Sequence, residues 1–463
     1  MAVFSKLAEM MQYEMHYNCY EIGHTWTPHC AEASVLVGLN AFMESLKIYV
    51  PLYTASLIYS GRYNRQGFRQ TLQSILASSF FLSFNAFSFI GVYCVLRKYF
   101  GRYNMMNSTY LPGFISSFMA ILLERKSRRQ ALAIYVCNIA SETIYRILAS
   151  RQVVRAVKYG EVYMFCLTTA FYMLLLKSHG YSRDPVSKLF QFLVGNCEGK
   201  AAPYGAKESM CESSLEDIRP ANVGSQVLTR NASNPSFTIW SRHPACIHKE
   251  NCSTYSFRGF LRPFLVGYAV RAVLRVVSSY KLIARKPLVL LRALLKPDNL
   301  RVALFLGCFG GFYRGSSCLL RWITGSNQDW HALPAGLVAG SSMFFYPSPS
   351  MALYLLWKLV EHTYLLGIEK KGFPTVPGAS VWLYSLSCSV IFYAAVFEPH
   401  NLRPTYWSFL KRLSYNRFSL LNRNVFDLFG LQTTKLFGDF FPVLDTEYTS
   451  RKFQETVLIW VPY

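Results

Sequence analysis

The stretch Leu72–Leu96 runs 25 residues without a charged side chain, and Thr375–Phe397 runs 23. An α-helix rises about 1.5 Å per residue, so about 20 such residues cross the ~30 Å hydrocarbon core of a bilayer. A buried helix of a soluble domain carries a polar face over that length. These two stretches therefore require an integral membrane protein. The composition agrees: 52% of residues are hydrophobic and only 16% charged, against roughly 25% charged in soluble domains.

The chain carries 48 basic and 25 acidic residues, a net charge of +23. In a nucleic-acid-binding protein the basic residues would gather on one folded face with aromatics between them. Here they flank the apolar blocks, as in Arg62, Arg65 and Arg69, or Arg125, Lys126, Arg128 and Arg129. That placement belongs to loops beside membrane helices and argues against a nucleic-acid partner. Residues 1–17 hold neither an apolar signal core nor an Arg-rich presequence, and the end Trp460–Tyr463 carries no peroxisomal address, so targeting is expected to be internal.

The chain also repeats itself. Gly91-x-x-Cys94-x-Leu96-Arg97 recurs as Gly315-x-x-Cys318-x-Leu320-Arg321, and Leu111-Pro112 as Leu333-Pro334. Glu142-x-x-Tyr145 recurs as Glu361-x-x-Tyr364, and Phe171-Tyr172 as Phe392-Tyr393. Asn18-Cys19 pairs with Asn251-Cys252, and Ser45-x-Lys47 with Ser279-x-Lys281, at slightly larger offsets. The matches keep their order, which reads as an ancient duplication.

The expected fold is an all-α membrane protein, a duplicated bundle of about four transmembrane helices per half, each half opened by an amphipathic segment (33–60 and 258–286). Residues 1–177 form the first half with its Cys/His-containing start, 178–257 a polar linker, 258–397 the second half, and 398–463 an amphipathic solvent-side region. An even number of crossings per half puts termini and linker on one side. The loops of that side carry more Lys and Arg, which points to the cytosol or matrix.

Several residues invite a functional reading. Gly307, Gly311 and Gly315 share one helix face, as do Gly336 and Gly340, and small residues at that spacing let helices in lipid approach closely. Glu142 with Arg146, Lys358 with Glu361 and His362, and Glu44 with Lys47 place ionisable groups in or beside apolar segments, where they must pair inward or line a wet path. Arg271, Arg275, Lys281, Arg285 and Lys286 fall on one side of a helical wheel, as in a helix resting on lipid headgroups. Cys19, His24, His29 and Cys30 form one cluster of metal-ligand types, and His243, Cys246, His248 and Cys252 another. Neither follows a zinc-finger spacing, so no metal is assigned and the thiols are read as solvated. Cys94, Cys137, Cys166, Cys308, Cys318 and Cys388 lie inside apolar segments and read as small hydrophobes. No catalytic motif and no cofactor signature are present.

Asn18–Trp26, Glu44–Tyr49, Glu124–Arg129, Ser317–Trp322 and Leu402–Trp407 resemble the signature stretches of the transmembrane protein 135 family. The resemblance implies a non-enzymatic multi-pass protein of peroxisomal and mitochondrial membranes, linked to mitochondrial fission and fusion balance, peroxisome organisation and fatty-acid metabolism. It implies the organelle fission machinery as a partner besides the lipid bilayer, and is compatible with a homo-oligomer. The glycine-bearing helices resemble, more distantly, the subunits of mitochondrial inner-membrane import channels. The alternative reading is a transporter or channel for a lipidic or small metabolite, motivated by the duplication and the repeated glutamates.

Overall fold

The computed structural model describes residues 14–180, 184–195, 198, 242–279, 290–291 and 294–456, apart from 62, 156, 371, 430 and 438–439. The chain is all-α. Among the described residues the only β-type pairing is an isolated bridge between Met15 and Tyr103.

In chain order the helices are α1 (Cys19–Ile22), α2 (Cys30–Ser60), α3 (Arg65–Phe100), α4 (Leu111–Leu123), α5 (Lys126–Ser150), α6 (Gly160–His179) and α7 (Pro185–Val194). There follow α8 (Cys252–Ser278), α9 (Pro297–Thr324), α10 (Ala332–Gly340), α11 (Pro349–Glu369), α12 (Ala379–Phe397), α13 (Pro404–Leu413) and α14 (Arg451–Thr456). Among the described residues six helices are long and apolar enough to cross a membrane: α2, α3, α4 with the π-turn Met106–Tyr110 before it, α5, α9 and α12. α2, expected as an amphipathic opening segment, thus meets the criterion, whereas α6, α10 and α11 do not. On the crossing helices large apolar side chains stay exposed, Val95 at 65% and Ile323 at 72%. Surfaces of that kind suit lipid rather than water.

Contacts divide the chain into two compact units that do not follow its sequence order. Unit 1 is Met1–Ala156 with Lys371–Tyr463, and unit 2 is Val157–Lys370. The fifth helix of each sequence half is exchanged: α6 belongs to unit 2 and α12 to unit 1. Within unit 1, α2 packs along α3, and α12 against α4 and α5. Within unit 2, α8 packs along α9, and α6 against α10 and α11.

The region after Phe397 is folded into unit 1. Trp407, Leu410, Val425 and Phe426 are buried with Phe89, Tyr93 and Phe397 in one core. Arg423 holds the end of α12, donating to the carbonyls of Ala395 (3.0 Å), Val396 and Phe418. The Ala395 and Val396 carbonyls carry the negative end of the helix dipole, which suits a guanidinium; burial pushes that group down to about 9. The expected linker is packed at both flanks. Phe190, Leu193 and Val194 of α7 are buried in unit 2, as are Cys246 and Cys252. Residues 199–241, with the sequon at Asn231, lie outside the described residues.

Candidate metal centres and an apolar cavity

Each unit brings three thiols and one imidazole together. In unit 1 these are Cys19, His24, Cys30 and Cys94, and in unit 2 Cys246, His248, Cys252 and Cys318. In each set the four candidate ligand atoms lie within 4.8 Å of one another. A capping box between Asn18 and Glu21 fixes the turn at Cys19. Cys30 and Cys252 open the long helices α2 and α8, where the exposed amide groups and the helix dipole favour a negative ligand. Cys94 and Cys318 project from the later turns of α3 and α9.

The two histidines are held alike. His24 is fully buried, and its Nδ1 lies 2.7 Å from the Thr27 carbonyl. A carbonyl only accepts, so Nδ1 carries the hydrogen and Nε2 is left buried without a hydrogen-bond partner. His248 places Nδ1 2.7 Å from the Glu250 carbonyl and turns Nε2 toward the sulfurs of Cys318 (3.2 Å) and Cys252 (3.6 Å). The Cys246 and Cys252 sulfurs are 3.7 Å apart, far beyond the ~2.05 Å of a disulfide. Both are free thiols, as are Cys19, Cys30, Cys94 and Cys318. Burial lowers the His24 imidazole, but the Cys19 and Cys30 sulfurs and the Thr27 carbonyl outweigh it and lift the group to about 10. The Cys318 contact, aided by His248 and Cys252 and opposed by burial, brings the Cys246 thiol down to about 4.

Of the eight Cys and His residues singled out in the sequence, six converge. His29 is exposed on the outer side of the α2 start, its ring 6.3 Å from that of Tyr448. His243 stands against Trp322 at 5.1 Å. Cys94 and Cys318, read as small hydrophobes, are buried in apolar clusters and each also supplies the fourth side chain of its Cys/His group. The buried Cys246 and Cys252 are not solvated thiols.

The paired ionisable residues are tied down. Glu142 accepts from Arg146 at 2.6 Å and, through its other oxygen, from Arg403 at 3.0 Å. Lys358 bonds both Glu361 and Asp184 at 2.8 Å, His362 stands 6.0 Å from the Tyr172 ring, and Lys47 pairs with Glu44 at 2.5 Å. One such contact escaped the sequence. Arg321 and Glu198, both fully buried, form a two-pronged pair. Burial alone would raise the Glu198 carboxyl, but Arg321 holds it below its ordinary value.

Glycines mark the helix crossings. A Cβ on Gly307 or Gly311 would meet the Phe264 or Phe260 Cβ at 2.9 and 3.0 Å. One on Gly336 would meet the Ala170 Cα at 2.9 Å, and one on Gly340 the Cys166 Cα at 2.6 Å. Gly315 has looser surroundings, with Ser256 at 3.6 Å. Of the expected basic face, Lys281, Arg285 and Lys286 lie outside the described residues. Arg271 and Arg275 are half-buried, Arg275 bonding Asp298 at 3.1 Å. It is the apolar Val273, Leu274 and Val277 that α8 exposes, so this part of the helix does not present a basic face outward.

Unit 1 also contains an apolar pocket, partly open to the outside, between α3, α12, α13 and the segment after α13. Its walls are mostly apolar, among them Leu82, Phe89, Ile391 and Phe409, and Arg417 is the one charged residue lining it. The guanidinium lies 5.1 Å from the Trp26 ring, and its Nη1 is buried without a hydrogen-bond partner. Burial pushes this group down, while Glu32 nearby favours its charge.

Helices that expose apolar faces, with their charges paired within each unit, define a multi-pass all-α membrane protein. Residues 16–149 match the family model described as the N-terminal cysteine-rich region of Transmembrane protein 135, and this supports assigning the chain to the transmembrane protein 135 family. The matched region contains the whole unit 1 cluster, Cys19, His24, Cys30 and Cys94. No solved structure matches the chain.

Proposed function

We propose that the chain is a non-enzymatic protein of peroxisomal and mitochondrial membranes that binds an anionic lipid, its acyl chain along the unit 1 cavity and its carboxylate on Arg417. The observation that carries this reading is the cavity itself: mostly apolar walls and one cation whose Nη1 lacks a partner. A guanidinium nitrogen without a partner in such walls can donate a charge-assisted hydrogen bond to an anion. Influence on mitochondrial fission, peroxisome organisation and fatty-acid metabolism then follows from lipid occupancy rather than from catalysis. Glu142, with both oxygens on arginines, supports a structural role for that residue rather than a place on an ion path.

Binding of radiolabelled oleate to the purified full-length protein in detergent tests the proposal, with oleyl alcohol as the uncharged competitor. Arg417→Leu keeps the walls apolar and removes the cation. It should weaken oleate about tenfold, or 1.4 kcal/mol, and leave oleyl alcohol unchanged. Equal oleate affinity in the variant and the parent, or no saturable binding to either, would sink the reading.

A further inference from the structure

We propose that each unit holds one zinc ion, coordinated by Cys19, His24, Cys30 and Cys94 in unit 1 and by Cys246, His248, Cys252 and Cys318 in unit 2.

The donor set is the first ground. Three thiolates and one imidazole form one of the ligand sets of structural zinc, which is bound tetrahedrally with no position open to substrate. Geometry is the second. Zinc–sulfur bonds of about 2.3 Å at tetrahedral angles put neighbouring sulfurs about 3.8 Å apart, and zinc–nitrogen bonds of about 2.0–2.1 Å put nitrogen and sulfur about 3.6 Å apart. In unit 2 the Cys246–Cys252 sulfurs stand at 3.7 Å and His248 Nε2 lies 3.6 Å from Cys252 and 3.2 Å from Cys318. Within 4.8 Å of one another, the four atoms leave room for a single ion and none for an iron–sulfur cluster bridging them.

Orientation of the histidines is the third. A metal-bound imidazole gives its other ring N–H to a carbonyl or carboxylate, which fixes the tautomer and aims the lone pair. His24 and His248 both do this, through Thr27 and Glu250. Without a metal, His24 Nε2 is a fully buried ring nitrogen with no hydrogen bond, an arrangement that interiors avoid. The fourth ground is recurrence. The order Cys, His, Cys and then a distant Cys from the second long helix occurs in both units, although the loop spacings differ. A chance meeting of buried thiols would not reproduce the histidine with its carbonyl in both places.

Binding would convert the remaining thiols to thiolates and release their protons, together with any proton on histidine Nε2, to solvent. No electron is transferred. Each ion would pin a loop to the starts and later turns of the two longest helices of its unit, contributing folding energy as structural zinc does.

The test is elemental analysis of the purified full-length protein. Two zinc ions per chain are expected, falling to one in Cys94→Ser, one in Cys318→Ser and none in the double variant. His29→Ala and His243→Ala, outside the clusters, should keep both. Should the serine variants fail to fold, the parent protein still decides. Titrating its thiols with a mercurial should release two zinc ions per chain to a chromogenic chelator. A parent protein grown in zinc-supplemented medium that carries less than half an equivalent of zinc overturns the proposal. So does iron in place of zinc, a Cys246–Cys252 disulfide in the unreduced protein, or undiminished zinc in a folded double variant.

Discussion

The long helix pairs of the two units, α2 with α3 and α8 with α9, meet at the same place with their residues exchanged. In unit 1 the small residue is on the first helix: a Cβ on Gly38 would meet the Phe87 Cβ at 2.9 Å. In unit 2 it is on the second: a Cβ on Gly311 would meet the Phe260 Cβ at 3.0 Å. Phe260 holds the place of Gly38, 222 residues on, and Gly311 that of Phe87, 224 residues on. One turn away, Ser83 donates to the Gly38 carbonyl at 2.7 Å, and its counterpart Gly307 faces the Phe260 carbonyl. Both second helices end on a left-handed glycine, Gly101 (φ 70) and Gly325 (φ 65), whose amides cap the Arg97 and Arg321 carbonyls. What the units share is a volume to be filled where two backbones cross; which helix supplies the ring is free to change. We infer that one ancestral bundle gave rise to both.

The arginines in that motif part company, and the largest expected effect lies there. Arg97 is half-buried and donates to the carbonyls of Tyr17 (2.7 Å) and His16 (2.9 Å). Arg321 is fully buried on Glu198. Glu198→Gln strands a guanidinium in the interior and should cost about 3–5 kcal/mol, whereas Arg97→Gln loses hydrogen bonds worth about 1–3 kcal/mol in all. Denaturant titration of both variants in detergent measures the gap, and equal losses would show that burial does not separate the two arginines. Acid sharpens the contrast. A carboxylate held below its ordinary 4.5 contributes stability that is full above that value and is lost as pH falls through the lower folded one. Glu198→Gln should therefore narrow its deficit against the parent below about pH 4.

A smaller difference separates two glycines on the same pair of helices. A Cβ on Gly310 of α9 would press on the Gly259 carbonyl and come within 2.8 Å of the Leu193 carbonyl, both backbone. On Gly91 of α3 it would find only the Ser34 hydroxyl at 3.8 Å. Gly310→Ala should lower stability by about 1–3 kcal/mol through overpacking. Gly91→Ala should be neutral or gain up to about 1 kcal/mol from helix propensity. Thermal melts of the two variants check the pair, and a stable Gly310→Ala would mean that α8 and α9 can slide apart at no cost.

The bundle was legible wherever burial and lipid ask for the same chemistry, as along α3 and α12, because an uncharged run cannot hide. The metal-type clusters were only half legible. Cys19, His24 and Cys30 stand in polar surroundings where their type draws notice. Cys94 and Cys318 sit among apolar neighbours, where a thiol is also an ordinary packing residue. The signal that could have found them was present, since each is the cysteine of the repeated Gly-x-x-Cys-x-Leu-Arg. The repeat register was misplaced for a related reason. Asn18-Cys19 resembles Asn251-Cys252 at an offset of 233, but the residue that opens the long helix as Cys252 does is Cys30, at 222. A local N-cap pattern outweighed position in the fold. The exchange of α6 and α12 between units left no mark, because an apolar helix face does not name its partner. Arg403, which completes the ionic contact at Glu142, lies 261 residues away from it in sequence, beyond any helical spacing rule.

The exchanged rings allow the two units to be compared by making one like the other. Gly38→Phe puts a second ring where the Phe87 side chain already lies 2.9 Å from a would-be Cβ, so α2 and α3 must separate and unit 1 should lose stability. Phe87→Gly alone removes the ring that covers Gly38 and costs helix propensity. If the crossing is defined by the volume filled, the double variant Gly38→Phe with Phe87→Gly copies the arrangement of Phe260 on Gly311. It should then recover more than half of the summed losses. The coupling read from the double-mutant cycle is expected at about 1–2 kcal/mol and favourable, within the 0.5–3 kcal/mol found for residues in contact. It is the smallest of the three effects because Ser83 stays in place of the counterpart Gly307, where even a Cβ would come within 3.1 Å of the Phe260 ring. Adding Ser83→Gly should raise the recovery further, even though the hydrogen bond to the residue 38 carbonyl is lost. Strict additivity of the Gly38 and Phe87 losses would break the comparison, leaving the two crossings as separate solutions that only look alike.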